Sequence, residues 1–220
     1  MEKNHIFSEV ASGAQSTQAQ EPVKAVENIN NPYGVEEVDL EQFIAHPDEE
    51  VAAIYVGSYG AYAAGSLRGA WVSIEACADY EEFMMVCRWI HRFEQDPEYM
   101  FQDYMGFPGQ FYREGSFTEQ DFDNVREFAE LDEDEQEAFE AFLDCKYGSY
   151  TDGDNLFYEF RDAYCGKFDS EEDYAEQLAE DCGYYAEMPS YLRNYFDIKA
   201  FARDIFLDGF TFWNGYVFRD

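Results

Sequence analysis

Apolar residues recur at two periods along this chain, and the changes between them mark its elements. Ala53-Ile54-Tyr55-Val56-Gly57 is a continuous apolar run ended by turn residues, which predicts a buried strand. Leu67 to Ile74 predicts a second strand across a Gly-rich loop. From Asp79 to Phe93 the period becomes helical: Tyr80, Phe83, Met84, Cys87 and Ile90 share one face. Asp79 with Glu82 three residues later gives a capping-box start. Glu98 to Tyr104 alternates as a third strand, and Gly106, Pro108 and Gly109 then break the chain. Strand, strand, helix and strand predict a small α+β unit.

The next stretch is helical. Thr118 caps a helix with Phe122, Val125 and Phe128 inward, and Asp132 with Glu135 caps another, to about Lys146, with Phe139, Phe142 and Leu143 inward. Tyr147 to Asn155 reads as a loop, and a helix follows near Leu156 to Tyr164. Ser170 with Asp173 starts a helix that runs to Asp181 and stops at Gly183. Pro189 fits a first helical turn, and Asp197 to Phe206 predicts a further helix. Phe210 to Trp213 and Tyr216 to Phe218 form a hairpin, because Asn214-Gly215 is the residue pair of a type I′ turn. Phe83, Trp71, Leu178 and Phe212 are the expected packing residues.

The stretch Ser8 to Asn31 lacks aromatics and any clear period. The chain therefore divides into a flexible N-terminal extension over residues 1–50, with a short helix around Leu40 to Ala45, and three further units. These are a small α+β domain over 51–108, a helical domain over 109–155 and a mixed sheet and helix domain over 156–220. The expected fold class is α+β, without internal repeats.

Charge changes the picture most. Among 220 residues, 48 Asp and Glu face 14 Lys and Arg, a formal charge of −34, while 19% of the chain is aromatic. The aromatic content argues against disorder along the whole chain. The charge excludes direct binding to DNA or RNA, which needs Lys and Arg at phosphates, and disfavours an anionic membrane. The natural partner is basic. Cys77, Cys87, Cys145, Cys165 and Cys182 are odd in number and form no CxxC pair, which fits packed free thiols in a reducing compartment. Met1 to Gln20 shows no secretory pattern, and no apolar run is long enough to span a bilayer, so the expected location is cytoplasmic.

Catalytic patterns are weak. With so many carboxylates, some pair always resembles a general acid and base. Asp152-Gly153-Asp154-Asn155 suggests a Ca²⁺ loop, but the fifth and twelfth positions hold Leu156 and Ala163 where oxygen ligands are required, so a turn is the better reading. His5, His46 and His91 are scattered and have no zinc-ligand spacing. Ser58 lacks a GxSxG context, and the glycines around it make neither GxGxxG nor a P-loop. The chain reads as a non-enzyme without cofactor or metal.

The carboxylates are ordered along the helices. Asp123, Glu127 and Glu130 lie opposite Phe122, Val125 and Phe128; Glu133, Glu137, Glu140 and Asp144 lie opposite Phe139, Phe142 and Leu143. Asp169, Glu172, Asp173, Glu176 and Glu180 form a third set opposite Tyr174 and Leu178. Ordinary solvated faces mix signs, because Glu–Lys pairs help and like pairs cost a few tenths of a kcal/mol. Here the compensating cations are nearly absent. Halophilic adaptation does not require the aromatics, and Ca²⁺ storage does not require ordered stripes. The third explanation is imitation of a nucleic-acid backbone, in which carboxylates stand in for phosphates. At one charge per ~1.7 Å of duplex, this net charge matches that of roughly 17 base pairs.

Specific residues also resemble a known family. Ile54-Tyr55-Val56-Gly57-Ser58-Tyr59, followed by Tyr62, Gly65, Leu67, Gly69 and Trp71, resembles the opening of the ArdA antirestriction proteins. So does Asp96-Pro97-Glu98-Tyr99-Met100-Phe101-Gln102-Asp103-Tyr104, and so does the spacing of Pro189, Leu192, Tyr195, Asp197, Ala200, Arg203 and Asp204. The resemblance covers about Ala52 to Asp220; the first fifty residues depart from it.

The resemblance implies an elongated three-domain homodimer, dimerised through its C-terminal domain and encoded on a conjugative plasmid or transposon. It implies a DNA mimic that occupies the DNA groove of the methyltransferase core of type I restriction–modification enzymes. The family's short acidic motif has its counterpart, by character, in Asp169 to Gly183. That stretch either touches the target or supports dimer geometry. The alternative is an acidic interaction protein that sequesters another basic DNA-binding partner, and the third reading is a hydrolase built on a carboxylate pair.

Overall fold

The computed structural model describes residues 31–146 and 156–220. The expected extension up to Asn30 and the expected loop over Tyr147 to Asn155, with its Asp152 motif, lie outside the described residues.

The first sheet is antiparallel, in the order β2-β1-β3, with β1 at Ala53–Ser58, β2 at Ala70–Ser73 and β3 at Tyr99–Met105. β1 is buried along its whole length because it is central, which is why its sequence is apolar without alternation. On the edge strand β2 only Ala70 and Val72 face the core; Trp71 points the other way and rests edge-on against Tyr55, at 5.6 Å. Phe43 and Ala45 pack beyond β2, where the Ser73 N–H donates to the Phe43 carbonyl at 2.8 Å. They come just after a single 3-10 turn at Leu40–Gln42, shorter than the helix expected there.

Between β1 and β2 the Gly-rich stretch forms a short helix, α1 (Tyr59–Ala63), where the sequence pattern suggests only a loop. Ser58 caps it by accepting the Ala61 N–H. α2 (Tyr80–Ile90) covers the sheet with Phe83, Val86, Cys87 and Ile90, and Asp79 accepts the Glu82 N–H at 2.8 Å as expected. Gly106 ends β3 at φ +74°, and a Cβ there would collide with the Val51 carbonyl, so a side chain is excluded twice over.

α3 (Glu119–Ala129) begins at a reciprocal capping box between Thr118 and Asp121. α4 (Glu133–Lys146) starts after Asp132, which accepts the Glu135 N–H at 2.9 Å. α5 (Leu156–Ala163) buries Leu156, Phe157 and Phe160. The chain then leaves the helix one residue earlier than its pattern suggests, as β4 (Tyr164–Lys167), because the edge of the second sheet recruits it.

α6 (Glu171–Asp181) runs from its Ser170 cap to Gly183, which adopts φ +74°. α7 (Tyr184–Glu187) has no signal in the sequence pattern. Pro189 opens a turn closed by the Leu192 N–H at 2.8 Å, and a 3-10 turn at Arg193–Tyr195 comes next, rather than a helix. α8 (Ile198–Leu207) is capped by Asp197. β5 (Phe210–Trp213) and β6 (Tyr216–Arg219) are the expected hairpin, with Asn214 and Gly215 both at positive φ. The second sheet is antiparallel, in the order β4-β6-β5.

The fold is thus mixed α+β, with eight α-helices and two three-stranded sheets among the described residues. One apolar cluster runs from Phe43 through α2, α3, α4 and α5 to Tyr216 and Phe218, across the boundaries expected at 108/109 and 155/156. The other side of the second sheet packs separately, with Tyr174 of α6 against Phe206 and Phe210 at 5.7 and 5.1 Å. Of the expected packing residues, Phe83 is fully buried. Trp71, Leu178 and Phe212 are only half-buried; Trp71 and Phe212 lie on the edge strands β2 and β5, and Leu178 on α6, outside the main core. Among the described residues, no helix is long and apolar enough to cross a membrane.

Candidate functional site

The acidic stripes fall on surface helices whose opposite faces form the core. On α3, Phe122, Val125 and Phe128 are buried, while Asp123 is exposed and Glu127 half-exposed; Glu130, exposed as well, is the residue that caps the end of the helix. On α4, Phe139, Phe142 and Leu143 are buried, while Glu133, Glu137, Glu140 and Asp144 are exposed. On α6 the buried residues are Tyr174, Ala175 and Ala179, and Asp173, Glu176 and Glu180 are exposed. Glu172 is half-exposed, and Asp169 is exposed but precedes the Ser170 cap, so it extends this face from the loop.

Arg126 of α3 donates to the Ala78 carbonyl, and three other cations nearby reach carboxylates on other elements. Arg161 of α5 reaches Glu127 of α3 at 3.0 Å, Lys167 of β4 reaches Glu137 of α4 at 3.1 Å, and Lys146 of α4 reaches Asp220 at 2.7 Å. Sequence reasoning missed these braces, since each joins residues 30 or more positions apart. Among the described residues, Asp123, Glu130, Glu133 and Glu140 have no cation within ion-pair distance. A surface of this kind presents unneutralised negative charge to whatever approaches it.

Titration divides in the same way. The Tyr216 hydroxyl and the Lys167 ammonium hold the Glu137 carboxyl below its ordinary range. Partial burial, then the neighbouring Asp144 and Glu137, push Glu140 up. A folded-state pKa above the unfolded one means that the fold favours the protonated acid. Glu140 therefore helps folding below its unfolded value of about 4.3 and opposes it once pH rises through the raised value. Glu140→Gln should raise the melting temperature at pH 7 by about 1 °C, the size expected from relieving like-charge helix pairs. The gain should vanish near pH 3 in a calorimetric scan; an equal gain at both values would contradict the charge argument.

The other candidate residues have structural partners. His91 is fully buried beyond α2, with Nδ1 3.1 Å from Glu94 Oε1 and Nε2 3.3 Å from the Val56 carbonyl. Burial lowers its pKa against the pull of these acceptors. The Ser58 hydroxyl donates to the same Glu94 oxygen at 2.7 Å while capping α1. Cys77 and Cys87 are buried, Cys145 and Cys165 are half-buried and Cys182 is exposed; burial pushes Cys77 up to about 12.

A second surface is aromatic. Tyr191 and Tyr195 are 72% and 82% exposed, and Tyr184 and Leu192 are also exposed beside them in the sequence. The density of tyrosine between Tyr184 and Tyr195 was the available signal, and its exposure required the structure.

Comparison with known families places the chain. The family model described as antirestriction protein (ArdA) matches residues 54–218, which takes in both sheets and all three acidic stripes. No curated protein matches the chain. With three quarters of its length under that one match, the chain belongs to the ArdA family of antirestriction proteins.

Proposed function

We propose that this protein mimics B-form DNA and occupies the DNA-binding groove of type I restriction–modification enzymes, so that incoming mobile DNA escapes restriction. The observation that carries this reading is the set of unpaired, exposed carboxylates on α3 and α4, backed by a continuous aromatic core. A rigid scaffold holds the charges at fixed spacing, so little ordering is lost when a groove lined with Lys and Arg closes on them. Such a surface displays no base edges, which makes it indifferent to the recognition sequence of the enzyme.

The exposed aromatic surface of Tyr184, Tyr191, Leu192 and Tyr195 supports a homodimer through the C-terminal unit, since an interface core is enriched in such residues. Two copies would lengthen the acidic array. Residues 51–108, 109–155 and 156–220 then serve as three successive units of one elongated mimic.

A competition titration tests the reading. The protein is added to the methyltransferase core of a type I enzyme bound to a labelled duplex, at two salt concentrations. Displacement at near-stoichiometric protein, weakened by salt, is the expected result. No displacement by folded protein would overturn it and favour sequestration of another basic DNA-binding protein.

A further inference from the structure

One acidic residue in the second stripe is paired with side chains from other elements of the fold. Glu137 Oε2 accepts from Lys167 Nζ at 3.1 Å and from the Tyr216 hydroxyl at 2.8 Å, and the Lys167 ammonium lies 5.2 Å from the Tyr216 ring centre. The three residues come from α4, β4 and β6. Lys167 is the last residue of β4, an edge strand that among the described residues pairs only with β6 and whose register shifts between Tyr164 and Gly166. An edge strand with a bulge is held on one side only.

Immediately after that strand the chain enters the third acidic helix. Phe168 donates its N–H to the Gly215 carbonyl at 2.8 Å and packs edge-on against Tyr174 at 5.1 Å; Ser170 then caps α6. The buried residues of this outer layer, Tyr174, Ala175, Ala179 and Ala202, are not part of the cluster that unites α2 to α5. Among the described residues, no continuous core therefore ties α6 to α4. Their relative placement passes through the second sheet, and the end of β4 is where α6 departs from it.

We infer that Lys167, held by Glu137 and Tyr216, is a positioning residue that fixes where the third acidic helix leaves the sheet, and that Glu137 serves this bridge rather than the partner. The inference deepens the mimicry reading and rests on it for its effect on binding. Both charged side chains are 58% exposed, so the bridge adds little to global stability. Its leverage comes from its place at the end of a one-sided strand.

The test exploits opposite signs. Lys167→Met removes one positive charge and so makes the net charge more negative by one, and a mimic governed by charge alone should then bind a basic groove more tightly. The bridge requires the reverse: binding to the type I methyltransferase core weaker by about threefold, the scale of one exposed pair with good geometry. Lys167→Arg should bind as the natural protein does, and the exchanged pair Glu137→Lys with Lys167→Glu should recover most of the loss at unchanged net charge. Hydrogen exchange of the same variants should quicken over residues 164–173 in Lys167→Met and stay unchanged over β1.

Unchanged or tighter binding of Lys167→Met with unchanged exchange overturns the inference. If the natural protein does not bind the core at all, the mimicry reading fails by itself. Exchange over residues 164–173 then still decides the bridge, faster exchange supporting it and unchanged exchange refuting it.

Discussion

Replacing Glu130, Glu133, Glu140 and Asp144 together by their amides should weaken binding to a type I methyltransferase core by about 30-fold or more. A carboxylate facing Lys or Arg across a wet interface contributes about 0.5–1 kcal/mol, and tenfold in affinity corresponds to about 1.4 kcal/mol. Any one of these substitutions alone should then change binding by no more than about fivefold. These four residues carry the prediction because they are exposed and, among the described residues, no cation lies within ion-pair distance of them. Unfolding should not confuse the outcome, since amides relieve repulsion along α4 and leave Phe139, Phe142 and Leu143 untouched. The salt dependence of binding should flatten in the fourfold variant, because fewer charges take part. Competition titrations at several salt concentrations measure both quantities. If one amide substitution abolished binding in a folded protein, the mimicry would not be distributed, and a fourfold variant with undiminished affinity would remove α4 from the contact.

Phe139→Ala should lower the melting temperature by about 10 °C, from a cavity cost of about 3–5 kcal/mol at about 2–4 °C per kcal/mol for a chain of this size. Phe139 is fully buried and stacks on Phe157 at 4.4 Å with rings 8° from parallel; Phe160 meets it edge-on at 5.2 Å. Phe128 and Phe111 lie within 5.9 and 6.2 Å. The ring thus joins α3, α4, α5 and the turn after β3, whose neighbours are too rigid to fill the space it leaves. Domains are stable by only about 5–15 kcal/mol, so the loss is a large fraction of the whole. A calorimetric scan checks it. A shift under about 3 °C would mean that the aromatic cluster closes over the gap and that Phe139 is not the centre of the core.

Much of the fold was legible because it rests on local chemistry. Asp79, Thr118, Asp132, Ser170 and Asp197 each accept an N–H from the first turn of the helix they precede, a contact spanning three residues. Asn214-Gly215 likewise makes its turn from backbone preferences alone. The failures involve partners distant in sequence. β4 has no pattern of its own and exists because β6, some fifty residues later, offers its hydrogen bonds. Phe43 and Ala45 are buried because β2 has an open edge beside them. Trp71 is half-buried because it sits on an edge strand, on the side of the sheet away from Ala70 and Val72.

The candidate surface divides along the same line. Periodicity and charge, read from the sequence by themselves, determined that carboxylates line the outer faces of α3, α4 and α6, since a helix repeats every 3.6 residues whatever surrounds it. They also set the sign of the charge that a partner must complement and, through local residue patterns, which family the chain resembles. Only the tertiary structure decided which of those carboxylates are free. Glu127 and Glu137 face cations that arrive from other elements, whereas Glu130 and Glu133 meet none among the described residues. It also decided that α6 shares the second sheet, but not the main core, with α4. The physical reason is that pairing and burial are properties of distances in space, which a chain sets only after its distant segments have met.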